Sequence, residues 1–144
     1  MTATVLVVED SPTQAESLRS LLAEDGYAVT VAANGAAALA AARRRAPAIV
    51  ISDIVMPEMD GYALCKAIKA DPALKETPVV LLTSLTNSLD VIKGLECGAD
   101  NFIRKPYDGA YLLLRLRYLV ANQELRGREK AIQFDMVVEV EPRY

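Results

Sequence analysis

The chain of 144 residues has no histidine and no tryptophan, and its cysteine is confined to Cys65 and Cys97. Without histidine there is no imidazole base, no histidine metal ligand and no place for a phosphohistidine, which leaves carboxylates as the acid–base or nucleophilic groups. The two cysteines fall in helical patterns and share no metal or redox spacing, so both read as reduced, partly buried thiols. Long apolar runs are missing too: none approaches the ~18 residues of a membrane span. Met1-Thr2-Ala3-Thr4 leads straight into the first apolar run with no basic stretch or cleavage segment, so a cytoplasmic chain with no membrane partner is expected. Nor does one sign of charge dominate. Sixteen basic residues against 19 acidic ones leave a net charge of −3, which gives no general electrostatic case for nucleic acid or anionic lipid. Arg43-Arg44-Arg45 is the tight basic cluster, expected at the solvated C-terminal end of a helix, where cations suit the helix dipole.

What the chain does have is an apolar core. Hydrophobic residues make up 52% of it, enough for one domain of ordinary size and too many for disorder. Strand-like and helix-like segments alternate, with strands read near 4–8, 28–32, 48–53, 78–83 and 100–104. Helices are read near 12–25, 35–46, 61–70, 87–97 and 108–125. This alternation indicates βαβ units and a parallel sheet of the α/β class. Ser11, Pro12 and Gln14 offer an N-cap, a proline at the first helical position and a capping box. Gly26 and Gly98 sit where helices should stop, and Asp71-Pro72 marks the end of the third helix. The compact domain is expected to span 1–121, with a helical linker interrupted by Gly127 and the start of a further, strand-like element over 122–144.

Three apolar runs end in chemistry: Val5–Val8 at Glu9 and Asp10, Ala48–Ser52 at Asp53, and Pro78–Leu82 at Thr83. A fourth, around Asn101–Ile103, leads into Lys105-Pro106. Polar residues just past the carboxyl ends of parallel strands share one crevice, so three carboxylates, a hydroxyl and an ammonium are expected to converge. Two unit charges ~4 Å apart at an effective dielectric of ~20 repel by about 4 kcal/mol. Either one carboxyl stays protonated, or a hard cation such as Mg²⁺ sits among them. An aspartate can take a phosphoryl group, and the charge on that group calls for cations and donors around it.

Val5-Leu6-Val7-Val8-Glu9-Asp10-Ser11, Ser52-Asp53-Ile54-Val55-Met56-Pro57, Met59-Asp60-Gly61, Thr83-Ser84 and Lys105-Pro106 resemble, in order and spacing, the response-regulator receiver (CheY-like) domain of two-component signalling. The resemblance covers about residues 4–121. It implies a doubly wound, flavodoxin-like (βα)5 fold with a five-stranded parallel sheet in order 2-1-3-4-5 and, here, an extended C-terminal helix. It also implies that Asp53 is the phosphoacceptor and that Glu9, Asp10, Asp53 and the Val55 carbonyl hold Mg²⁺ or Mn²⁺. Thr83 and Lys105 would bind the phosphoryl oxygens, Thr83 and Phe102 would form the switch, and Lys105-Pro106 would be cis. The implied partner is a histidine kinase or phosphotransfer protein, with a homodimer through the fourth helix, fifth strand and fifth helix, or through the extended last helix.

Val55 and Leu85, two residues past Asp53 and Thr83, are apolar where many receivers carry polar groups beside the path of the hydrolytic water, so slow self-dephosphorylation is expected. Two other readings use the same crevice. An FMN protein would want a phosphate-friendly loop after the first strand, where Glu9-Asp10-Ser11 repels phosphate. An Asp-nucleophile phosphatase would usually carry its nucleophile after the first strand, not the third. A receiver reduced to docking is opposed by the intact Asp53, Thr83 and Lys105. A receiver module of a larger protein, such as a hybrid histidine kinase, is expected over a stand-alone regulator, because Asn122–Glu129 resembles a signalling-helix linker.

Overall fold

The computed structural model describes residues 2–84 and 88–136. Five strands, β1 (Thr4–Val8), β2 (Ala28–Ala32), β3 (Ile49–Asp53), β4 (Val79–Thr83) and β5 (Asn101–Arg104), form one sheet in the order β2-β1-β3-β4-β5. All neighbours pair in parallel. Between and after them run α1 (Pro12–Glu24), α2 (Gly35–Arg44), α3 (Gly61–Ala70), α4 (Ser88–Cys97) and α5 (Gly109–Met136). This is the expected doubly wound (βα)5 architecture.

The strands are continuous apolar runs because both sheet faces are covered. Alternate residues serve opposite cores. Leu6, Val8, Val50 and Leu81 pack with Ala38, Ala42, Leu64, Cys65 and Ile68 of α2 and α3. Val5, Val7, Ile49, Ile51, Val80, Leu82 and Ile103 pack with Leu18 and Leu22 of α1 and with Leu112, Leu116 and Leu119 of α5.

Helix ends follow local chemistry. Asn34 and Asp60 cap α2 and α3 by accepting the N–H of Ala37 and Ala63, each at 2.8 Å. Gly26 and Gly98 take φ of +96° and +86°, the left-handed conformation expected past a helix end. Arg43 and Arg44 lie in the last turn of α2, and Arg43 pairs with Asp71 at 3.1 Å.

The last helix departs from expectation. It does not stop near 125; it runs through Gly127 to Met136 as one element of 28 residues. A glycine inside a helix costs only about 1 kcal/mol relative to alanine, too little to end one by itself. Met136, read as the start of a strand-like alternation, is helical. The rest of that alternation, and Leu85, lie outside the described residues. Gln123 Nε2 donates to the Glu76 carbonyl just ahead of β4, so α5 has reached the amino edge of the sheet by that point. From Glu124 onward it runs past that edge.

Candidate functional site

The crevice lies where β1, β3, β4 and β5 end. Glu9 and Asp10 follow β1, Asp53 closes β3, Thr83 closes β4, and Lys105 follows β5. One carboxylate oxygen from each of Glu9, Asp10 and Asp53 lies within 4.8 Å of the others. Glu9 is buried, Asp53 half-buried and Asp10 exposed. Three oxygen donors from three carboxylates suit a hard divalent cation of the Mg²⁺ kind, which completes its shell with water or phosphate oxygens.

Lys105 answers part of that negative charge. Its Nζ stands 3.3 Å from Asp53 Oδ1 and 3.7 Å from Glu9 Oε2, and it donates to Gln14 Oε1 at 2.8 Å. One cation does not neutralise three carboxylates. Burial pushes the Glu9 carboxyl above its ordinary value, and the charge and hydrogen bond of Asp53 push the same way. The Ser11 N–H, which donates to Glu9 Oε1 at 3.0 Å, and the Lys105 charge oppose that shift.

The backbone around Asp53 is closely built. Ile54 N–H donates to Asp53 Oδ1 at 3.0 Å and fixes the carboxylate's rotation. Gly61 N–H then donates to the Ile54 carbonyl at 2.8 Å, drawing the start of α3 onto the end of β3. A Cβ at Gly61 would lie 2.4 Å from the Asp53 carbonyl oxygen, so Met59-Asp60-Gly61 needs its glycine for close approach. Between them Glu58 adopts φ +68°, an uncommon left-handed conformation for a residue with a side chain.

The other expected residues fall around this centre. Leu82 is the register partner of Asp53, which puts Thr83 one residue further along, half-buried, with its carbonyl accepting the Lys105 N–H at 2.7 Å. The Lys105–Pro106 peptide is cis. Phe102 is half-buried, opposite Leu81 in β5 and packed on the α3 side of the sheet. Val55 is 65% exposed, beyond Asp53.

Gln14 was read as half of a capping box, and that half does not form. Ser11 Oγ accepts the Gln14 N–H at 3.4 Å, but the Gln14 side chain reaches Lys105 instead of returning to Ser11. Its partner is 91 residues away, so no local pattern could have revealed this tether.

The sequence profile of the response regulator receiver domain matches residues 5–117. The chain belongs to that family. The receiver is 41% identical over 133 residues to response regulator PleD of Caulobacter vibrioides, covering 90% of this chain and 29% of PleD. It is 35% identical over 136 residues to the DNA-binding response regulator MtrA of Mycolicibacterium smegmatis, covering 94% of this chain and 58% of MtrA. Among solved structures, the receiver domain of a signal transduction histidine kinase from Syntrophus aciditrophicus superposes with a TM-score of 0.81 at 38% identity, over 99% of this chain and 100% of that one. The chain thus spans less than two thirds of the length of each of these curated relatives. Membership sets aside the FMN and Asp-phosphatase readings. Among the described residues no helix is long and apolar enough to cross a membrane.

Proposed function

We propose that this receiver accepts a phosphoryl group onto Asp53 from the phosphohistidine of a partner histidine kinase or phosphotransfer protein, and relays the change through the surface of α4, β5 and α5. The observation that carries this reading is the convergence of Glu9, Asp10 and Asp53 within 4.8 Å, with Lys105 3.3 Å from Asp53. An Asp53 carboxylate oxygen attacks phosphorus, the P–N bond to the donor imidazole breaks, and the imidazole leaves with a proton. Lys105 and the Thr83 hydroxyl take the developing charge on the phosphoryl oxygens. Glu9, Asp10, Asp53 and the Val55 carbonyl would hold Mg²⁺ or Mn²⁺, which supplies Lewis-acid stabilisation of the same charge. The receiver catalyses its own phosphorylation and slow dephosphorylation and turns over no external substrate. Thr83 and Phe102 carry the response, Thr83 moving toward the phosphate and Phe102 inward into the space it leaves.

A cytoplasmic module of a larger signalling protein is the favoured context, with no direct contact to nucleic acid. An α5 that runs beyond the matched region, and the full overlap with a histidine-kinase receiver, support a kinase-linked module over a stand-alone regulator. Beryllofluoride, a phosphoryl mimic, tests the site. With Mg²⁺ it is expected to bind the wild type, with NMR shifts at β4, β5 and α4, and to lose binding in Asp53→Asn. Equal binding by Asp53→Asn would overturn the assignment.

A further inference from the structure

Lys105 carries its ammonium on a flexible four-carbon stem, so whatever holds that group decides whether it can meet a phosphoryl oxygen. Packing does not hold it. The side chain is 22% exposed and borders a cavity of about 540 Å³ shared with Ser17, Leu18 and Tyr107. Asp53 Oδ1 at 3.3 Å and Glu9 Oε2 at 3.7 Å stand just beyond the ordinary N–H···O reach of ~3.2 Å. The shortest of the three contacts is to a neutral group: Gln14 Oε1 accepts from Nζ at 2.8 Å. Gln14 is itself fixed. It is the third residue of α1, and its N–H donates to Ser11 Oγ at 3.4 Å. The Ser11 N–H donates in turn to Glu9 Oε1 at 3.0 Å. One turn of backbone thus joins a carboxylate of the acidic cluster to the acceptor that anchors the lysine.

We propose that Gln14 is a positioning residue for phosphoryl transfer, holding the Lys105 ammonium beside Asp53 while the charge of the crevice changes. The proposal rests on the phosphoacceptor reading of Asp53. In the absence of a cation, Glu9, Asp10 and Asp53 attract the ammonium. Once a divalent cation takes up their charge, that attraction falls, and the cation repels the ammonium across the same few ångströms. An amide oxygen carries no net charge, so its hold is nearly the same in both states. Lys105 then keeps one of its three donors on Gln14 and has the others for Asp53 and an arriving phosphoryl oxygen. Without Gln14 the ammonium would close on the carboxylates when no cation is bound and compete with its entry. With the cation in place it would drift from Asp53 toward the open cavity. Gln14 touches no reacting atom; it acts through the lysine.

Gln14→Met tests this, because methionine keeps the reach and helix preference of glutamine and removes the acceptor. The position is exposed, so the fold should be unaffected. Mg²⁺ titration followed by NMR, and beryllofluoride titration at saturating Mg²⁺, give two affinities. Gln14→Met should weaken both, by up to about tenfold for one lost hydrogen bond to an ammonium. In a Lys105→Met background the same substitution should leave Mg²⁺ affinity unchanged, whereas a merely structural role for Gln14 would persist there. Unchanged affinities in Gln14→Met, or an equal loss of Mg²⁺ affinity in the Lys105→Met background, would overturn the proposal. Beryllofluoride binding by Asp53→Asn distinguishes the two failures. If Asp53→Asn binds as the wild type does, the phosphoacceptor reading falls and takes the role in transfer with it. If Asp53→Asn does not bind while Gln14→Met is unchanged, the positioning role alone is lost.

Discussion

Glu9 gives the crevice a pH dependence whose sign follows from burial. In the unfolded chain its carboxyl titrates near the ordinary 4.5, whereas in the fold burial holds it higher. Between those two values the native state keeps a proton that the unfolded state has released. Its favourable contribution is complete below 4.5 and is lost as pH rises through the folded value. Glu9→Gln should therefore be more stable than wild type above that window when divalent cations are absent, with a flatter profile of urea midpoint against pH. Adding Mg²⁺ should raise the wild-type midpoint and leave the variant's nearly unmoved, because the variant lacks one charged ligand. Midpoints that coincide at every pH would refute the burial argument. Val55 is a second lever at this scale. An exposed isopropyl group beside Asp53 cannot orient water, so Val55→Asn should shorten the aspartyl-phosphate lifetime several-fold. Decay followed by loss of radiolabelled phosphate would decide, and an unchanged half-life would count against a role for Val55.

At the scale of elements, the β3–α3 junction is the tightest joint in the site. Gly61→Ala would set a methyl 2.4 Å from the Asp53 carbonyl oxygen and 2.9 Å from Ile54 Cα, both backbone atoms that cannot swing aside. Overpacking of this kind costs about 1–3 kcal/mol. A fall in the unfolding midpoint together with weaker beryllofluoride binding is expected, since the same backbone carries the phosphoacceptor. Strand positions and helix ends were legible because their signals are local: an apolar run, a Ser11-Pro12 pair opening a helix, a glycine where the helix must end. Three features were not. Gln14 left its capping role for a lysine 91 residues away. Cys65 Sγ donates to the Cys97 carbonyl at 3.4 Å, a meeting of α3 and α4 that spacing in the chain does not announce. The far end of α5 was misplaced because a polar composition and Gly127 looked like a break, while helix cooperativity carries through one unfavourable residue.

For the whole molecule, stability should grade from edge to centre. β1, β3 and β4 pair on both sides and are almost wholly buried, whereas β2 pairs only with β1 and exposes most of its length, Val31 at 42%. The alanine-rich α2 covers this edge with small side chains and offers little apolar area to hold it. Native-state hydrogen exchange should find the slowest amides in β1, β3 and β4 and markedly faster ones in β2 and α2, and equal protection across the sheet would contradict this grading. The position of the crevice at the carboxyl edge was legible once Glu9, Asp53, Thr83 and Lys105 were seen to close four apolar runs. The strand order rested on resemblance, because a run of alternating elements fits several windings.

Helices in this winding run against the strands, so the carboxyl end of α2, with Arg43, Arg44 and Arg45, lies at the opposite pole from Glu9, Asp10 and Asp53. At the reactive pole three converging carboxylates face a single lysine, so the field there is locally negative although the net charge is only −3. A partner arriving by diffusion meets a field that turns the molecule before any side chain touches. Below about a Debye length of screening, near 10 Å at 0.1 M salt, that torque favours approach to the crevice by a surface rimmed with basic groups.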